Sequence, residues 1–121
     1  MCGAANKNGI KEITIISDDS KENTLAFAEG ILLGNYQFLK YKSSPETNSL
    51  AKVNVLSKDI DADSLKDLAT VCEAVCKARD LVNEPVASLN ATGLAKAFSK
   101  MGKDAGFKVT IFDKSKINTL K

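Results

Sequence analysis

The sequence predicts an α/β chain with a mostly parallel sheet, and three observations carry that prediction. Short β-branched runs alternate with longer segments of helical periodicity, in the order strand, helix, strand, two helices and strand, the pattern of a sheet whose crossovers are helices. Aliphatic residues supply the core: 44% of the 121 residues are hydrophobic, only 6% are aromatic and Trp is absent. Charged residues make up 26%, with a formal net charge of +2, an ordinary composition that disfavours disorder and membrane spans. A chain of this size buries about two-thirds of the surface its unfolded state exposes, enough for one modest core.

Residues 11–16 (KEITII) are entered from the turn dipeptide Asn8-Gly9 and predict the first strand. Asp19 with Glu22 has the form of an acidic capping box. Leu25, Ala28, Leu32, Tyr36 and Leu39 then recur at helical spacing, which predicts a helix of about twenty residues. Ala26, Gly30 and Gly34 form a small-residue stripe on it. Each glycine costs about 1 kcal/mol relative to Ala, so the stripe predicts a close packing contact, and Gly34→Leu is expected to cost about 1–3 kcal/mol by overfilling it. The charges Lys21, Glu22, Glu29 and Lys40 make this a soluble contact rather than pairing of membrane helices. Ser43, Ser44 and Pro45 mark a loop, and residues 52–56 (KVNVL) alternate as a second strand.

Asp61 or Asp63 can cap the next helix, in which Leu65, Leu68, Cys72, Val75 and Val82 recur at three-and-four spacing up to Asn83, before Pro85 forbids continuation. At 1.5 Å per residue it is about 30 Å long, a connector or spine in so short a chain. Asn90 is a good N-cap for a third helix bearing Leu94, Ala97, Phe98 and Met101, and Gly106 suits its left-handed C-terminal position. Residues 107–112 (FKVTIF) predict a third strand, and residues 113–121 start a further amphipathic turn. Three strands are few for a parallel sheet, which needs helices on both faces, so the chain reads as part of something longer.

Several function classes fall away on residue types alone. Histidine is absent, which excludes Ser-His-Asp and Cys-His mechanisms within this chain. Arg79 is the one arginine, and the lysines are scattered among the acids, unlike the clustered basic face that nucleic acid requires. No stretch approaches the roughly 18 apolar residues of a membrane helix, and residues 1–8 lack the apolar run of a signal peptide, so a cytoplasmic protein with reduced thiols is expected.

The remaining constellations are weak. Cys72 and Cys76 lie one helical turn apart, but zinc wants four N or S ligands and Cys2 offers no second pair, so buried, inert thiols are the better reading. Asp18-Asp19 at the carboxyl end of a strand resembles a Mg²⁺-binding acidic pair of receiver domains. That reading also needs an Asp where the second strand ends in Leu56-Ser57, and capping explains the acids without it. Gly30, Gly34, Gly93, Gly102 and Gly106 fall within helices or at their ends, so no phosphate-cradling loop is present. Asn90-Ala91-Thr92 matches a glycosylation sequon only formally, and capping accounts for Asn90. Arg79 beside Asp80 is an ion pair, a buried polar contact at a domain junction, or solvated surface.

Ala78, Arg79, Asp80, Leu81, Val82, Asn83, Glu84 and Pro85, followed by Leu89-Asn90, Leu94-Ala95, residues 106–109 (GFKV) and residues 117–120 (INTL), resemble the leucyl (cytosol) aminopeptidase family. Upstream, residues 28–34 (AEGILLG) with Tyr36, Phe38, Tyr41 and Lys42 look like the helix in that family's N-terminal domain that ends in an aromatic and lysine-bearing loop. The resemblance implies a hexameric cytoplasmic exopeptidase that releases N-terminal amino acids from peptides. In such an enzyme a macro-like α/β N-terminal domain is joined by a long helix to a catalytic domain with two divalent metal ions, Mn or Zn. On that map residues 1–62 are the later part of the N-terminal domain, with its strand-helix-strand. Residues 63–84 are the connecting helix, and residues 85–121 open the catalytic domain with its first helix-strand unit.

The family's metal ligands and catalytic basic residues belong to motifs of the type Asn-Thr-Asp-Ala-Glu-Gly-Arg and to a preceding Lys- and Asp-bearing loop. Nothing in this sequence matches either, so no catalytic, cofactor-binding or metal-ligating residue is carried over, and the chain alone is expected to be an inactive scaffold that binds no metal. Expected partners are other copies of the chain and, for the complete enzyme, peptide substrates, with neither nucleic acid nor membrane. The alternative is a free-standing α/β binding module without catalysis, whose single sheet would hold all three strands.

Overall fold

The computed structural model describes residues 1–120 and is a mixed helix and strand structure. In chain order its elements are α1 (Cys2–Lys7), β1 (Glu12–Ile16), α2 (Lys21–Gly34), β2 (Lys52–Leu56), α3 (Ala62–Asn83), α4 (Ala91–Ala105) and α5 (Lys114–Thr119). The described residues divide into two compact units, Met1–Asp80 and Leu81–Lys121.

In the first unit β1 and β2 pair in parallel, with Ile13 opposite Val53 and Ile15 opposite Val55. Side chains alternate across a strand, so these four share one face, and with Cys2 and Leu68 they pack around Ala5, Ala28, Ile31 and Leu50. Ala28 and Ile31 are 2% and 3% exposed, and with Thr24 they form the buried face of α2 at helical spacing. The opposite sheet face is polar at one end, where Glu12 accepts from Lys52 Nζ (2.8 Å) and Asn54 Nδ2 (2.7 Å). Its other end is the apolar pair Ile16 and Leu56, 78% and 62% exposed. Among the described residues the sheet has only these two strands, and the outer edge of each is unpaired.

Local signals explain most of the boundaries and two of the departures. Ser20, one position after the expected Asp19, is the N-cap of α2, its Oγ accepting from Asn23 N–H (3.3 Å). Asp19 instead accepts from Ser20 N–H (2.7 Å) and from Asn23 Nδ2. The helix stops at Gly34, short of Tyr36 and Leu39, because the next residue is held by tertiary hydrogen bonds. Asn35 Nδ2 donates to Leu50 O (2.8 Å), while its Oδ1 accepts from Asn6 Nδ2 and Asn48 Nδ2 (3.0 Å each). The same network fixes α1, which has no side-chain cap and no sequence signature; Asn6 Oδ1 accepts from Leu50 N–H (2.9 Å) and Ala5 enters the core. Gly9, at φ +67°, turns the chain from α1 into β1, as the Asn8-Gly9 dipeptide predicts.

The expected long helix is α3. Asp61 caps it by accepting from Ser64 N–H (2.7 Å), and it ends before Pro85. Leu65, Leu68, Cys72, Val75, Cys76 and Arg79 form its buried and half-buried stripe, whereas Val82 is exposed.

The second unit follows its predicted caps. Asn90 Oδ1 accepts from Gly93 N–H (3.0 Å), and Gly106 closes α4 in the left-handed conformation at φ 77°. The predicted third strand is absent: residues 107–112 take no regular secondary structure. Their β-branched content favours a pleated surface only where a partner strand supplies the ladder, and none does. Instead Phe107 and Val109 fold back onto Gly102, the one buried residue of this unit among those described. A Cβ at Gly102 would collide with Val109 Cγ2 and come within 2.9 Å of the Phe107 carbonyl. Close approaches therefore lie at Gly102 and at Gly93, where a Cβ would come within 2.9 Å of the Ser88 carbonyl, and not at the Gly30/Gly34 stripe. Gly30 meets nothing within 4 Å, Gly34 has only ordinary contact with Cys2 Sγ (3.6 Å), and Ala26, Gly30 and Gly34 are all exposed.

Candidate functional site

The acids and thiols considered for chemistry are dispersed by the fold. Asp18 and Asp19 are exposed, and Asp19 is engaged in local hydrogen bonds at the entry to α2. Among the described residues no three Cys, Asp or Glu side chains come together in a way that could hold a metal ion.

The thiols are free. Cys2 donates to the Ile31 carbonyl (3.2 Å), and Cys72 is buried against the core side of α3. Burial pushes the Cys72 thiol up, with smaller contributions from the Glu29 charge and from Cys76, which is the opposite of what a reactive thiolate needs. Two carboxyls are shifted down. Glu12 is lowered by hydrogen bonds from Lys52 and Asn54, and Asp61 is held at about 2 by hydrogen bonds from Ser64, with Lys21 (3.4 Å) adding to the effect. Both are exposed groups in structural roles, a cross-strand ladder and a helix cap.

One cluster joins the two sequence blocks that carry the family resemblance. Arg79 Nη1 in the last part of α3 donates to the Leu33 carbonyl (2.8 Å), one of the terminal carbonyls of α2. The guanidinium carbon stands 5.5 Å from the centre of the Tyr36 ring. Tyr36 Oη donates to Asp80 Oδ1 (2.7 Å). Arg79 and Tyr36 are half-buried and Asp80 is exposed, so the Arg79-Asp80 pair is a tertiary polar contact rather than bare surface. The adjacent acid and base are visible in the sequence, but Tyr36 lies 44 positions before Asp80, and no local signal links the two. The cluster holds no nucleophile with a neighbouring base, so its chemistry is that of an attachment.

Comparison with known proteins places these features in context. No protein-family model matches the chain. It is 36% identical over 108 residues to a probable cytosol aminopeptidase of Clostridium perfringens (strain 13 / Type A), an alignment covering 83% of this chain and 22% of that protein. A probable cytosol aminopeptidase of Aquifex aeolicus (strain VF5) is 36% identical over 103 residues, covering 85% and 21%. One of Mycobacterium leprae (strain TN) is 39% identical over 92 residues, covering 73% and 18%. The chain thus spans about a fifth of the length of the curated relatives it matches. Among solved structures, the bottromycin maturation enzyme BotP superposes with a TM-score of 0.80 at 25% identity, covering 98% of this chain and 27% of that one. Among the described residues no helix is long and apolar enough to cross a membrane.

Proposed function

The chain belongs to the cytosol aminopeptidase family, as a segment matching about a fifth of its relatives' length, and on that premise we propose that it is scaffold of a leucyl aminopeptidase. The parent enzyme is a cytoplasmic hydrolase that releases N-terminal amino acids from peptides, and two divalent ions, Mn or Zn, supply its hydrolytic chemistry from residues outside this chain. The observation that carries the reading is the match itself, which runs through the Ala78 to Pro85 motif while the described carboxylates stay dispersed. Residues 1–62 serve as the later part of a macro-like N-terminal domain, residues 63–84 as the connecting helix and residues 85–121 as the opening of the catalytic domain. The continuity of α3 across the boundary between Asp80 and Leu81 supports the connecting role.

The alternative, a free-standing binding module, calls for residues 107–112 as a third strand in one sheet. That segment is not a strand, which weighs against it. Self-association is part of the proposal, with the family's hexamer as the complete assembly. The unpaired edges of β1 and β2, the exposed Ile16 and Leu56, and the exposed Phe98, Phe107 and Phe112 of the second unit supply surfaces that water disfavours. Sedimentation velocity across a concentration series is expected to show reversible association.

The test of the functional reading is hydrolysis of leucine p-nitroanilide by the purified chain with added Mn²⁺ or Zn²⁺. Turnover at the level of the blank is expected. Metal-dependent release of nitroaniline that scales with chain concentration would refute the scaffold reading.

A further inference from the structure

We propose that Tyr36, Arg79 and Asp80 form a clasp that holds the C-terminal part of α3 to the end of α2, so that this stretch of helix opens locally when the clasp is removed.

The clasp engages Tyr36 at two points, its ring and its hydroxyl. Successive residues of a helix point about 100° apart, and Arg79 and Asp80 engage different parts of the Tyr36 side chain. Arg79 covers the ring (5.5 Å) and reaches past it to the Leu33 carbonyl (2.8 Å). That carbonyl is in the final turn of α2, where the helix dipole favours a cation and the intrahelical ladder runs out of donors. Asp80 accepts from the Tyr36 hydroxyl (2.7 Å), a short bond to a charged acceptor of the stronger kind. Tyr36 is itself anchored by its position directly after Asn35, which three side-chain hydrogen bonds hold to Leu50, Asn6 and Asn48.

The placement gives the cluster its role. α3 is tied at its start by the exposed Lys21–Asp61 pair (3.4 Å), along its length by Leu68 and Cys72, and at its end by the clasp. The first compact unit ends at Asp80, the residue that takes the Tyr36 hydrogen bond. The three helical residues that follow, Leu81, Val82 and Asn83, lead to Pro85, where the helix cannot continue.

Hydrogen exchange by mass spectrometry on the full chain tests the clasp, with Tyr36→Phe, Asp80→Ala and Asp80→Asn as variants. Loss of a hydrogen bond to a charged group predicts that amides of residues 77–83 exchange about tenfold faster in Tyr36→Phe and in Asp80→Ala. The β1 and β2 amides keep their rates. Asp80→Asn retains an oxygen acceptor but loses its charge, and is expected to fall between the parent and Asp80→Ala. The double variant Tyr36→Phe/Asp80→Ala is expected to exchange no faster than either single one, because both remove the same bond. Unchanged exchange at residues 77–83 in Tyr36→Phe overturns the clasp. So does acceleration spread uniformly over residues 1–80, which would make the cluster a contributor to global stability and not a local attachment.

Discussion

The two compact units use equally good local signals and reach different ends. The first closes a small aliphatic core in which Ala5, Ile15, Ala28, Ile31 and Leu50 are buried. The second has well-formed caps at Asn90 and Gly106, yet its one buried residue among those described is Gly102, while Val82, Val86, Phe98, Phe107, Ile111, Phe112, Ile117 and Leu120 are exposed. The contrast separates helix formation from core formation. Caps and periodicity place α4, but apolar side chains are buried only where a second layer lies over them.

Substitutions can sharpen or break this contrast, and the largest effect is expected in the first core. Ile31→Ala removes a side chain that is 3% exposed and is expected to destabilise the chain by about 2–5 kcal/mol in urea unfolding. Val86→Ala in the second unit, at a position 83% exposed, is expected to shift the same transition by less than about 0.5 kcal/mol. Equal effects would mean that the second unit has a core of its own.

Glycine substitutions come next. Gly102→Ala forces a methyl into Val109 and the Phe107 carbonyl and is expected to cost about 1–3 kcal/mol, read as lost helicity and as faster exchange in α4. Gly30→Ala places the same methyl in open space inside α2 and is expected to stabilise by up to about 1 kcal/mol. Gly34→Leu, facing only Cys2 Sγ at 3.6 Å from an exposed position, is expected to be far milder than the overfilling its place in the stripe implies. A melting temperature lowered as much by Gly30→Ala as by Gly102→Ala would break the assignment of the close contact.

These glycines show how much was legible in the sequence. Gly30 and Gly102 look alike as letters, each inside a helical pattern, and only the return of Val109 across α4 distinguishes them. Elements specified by near neighbours were readable: β1 from its β-branched run after the Asn8-Gly9 turn, β2 from alternation, the start of α3 from Asp61, its end from Pro85, and both ends of α4. Elements specified by distant partners were not. α1 exists through Ala5 and Asn6, α2 stops because Asn35 is bound to Leu50, and residues 107–112 fail to form a strand for want of a neighbour. Of the candidate site, Arg79 and Asp80 were visible as an adjacent pair in one family block and Tyr36 in the other, but nothing local showed that they meet.

A smaller effect follows from Asp61. Its folded pKa, about 2, lies below the ordinary value of 3.8, so its contribution to the start of α3 is fully present above that ordinary value and is lost as pH falls toward 2. Asp61→Asn is expected to remove this part of the acid transition, as followed by far-UV circular dichroism, while the Glu12–Lys52 ladder in the sheet persists. The least perturbing probe is thiol labelling. Cys72, 5% exposed and with its thiol pushed up by burial, is expected to react last with iodoacetamide, after Cys2 and Cys76. Early labelling of Cys72 would show that α3 leaves the core readily.

The proposal most open to test is that this chain is scaffold of a cytosol aminopeptidase and carries none of the groups that hold its ions. Isothermal titration of Mn²⁺ into the full chain tests it most directly. The account predicts no saturable uptake; stoichiometric binding abolished by substituting the chain's own carboxylates would contradict it.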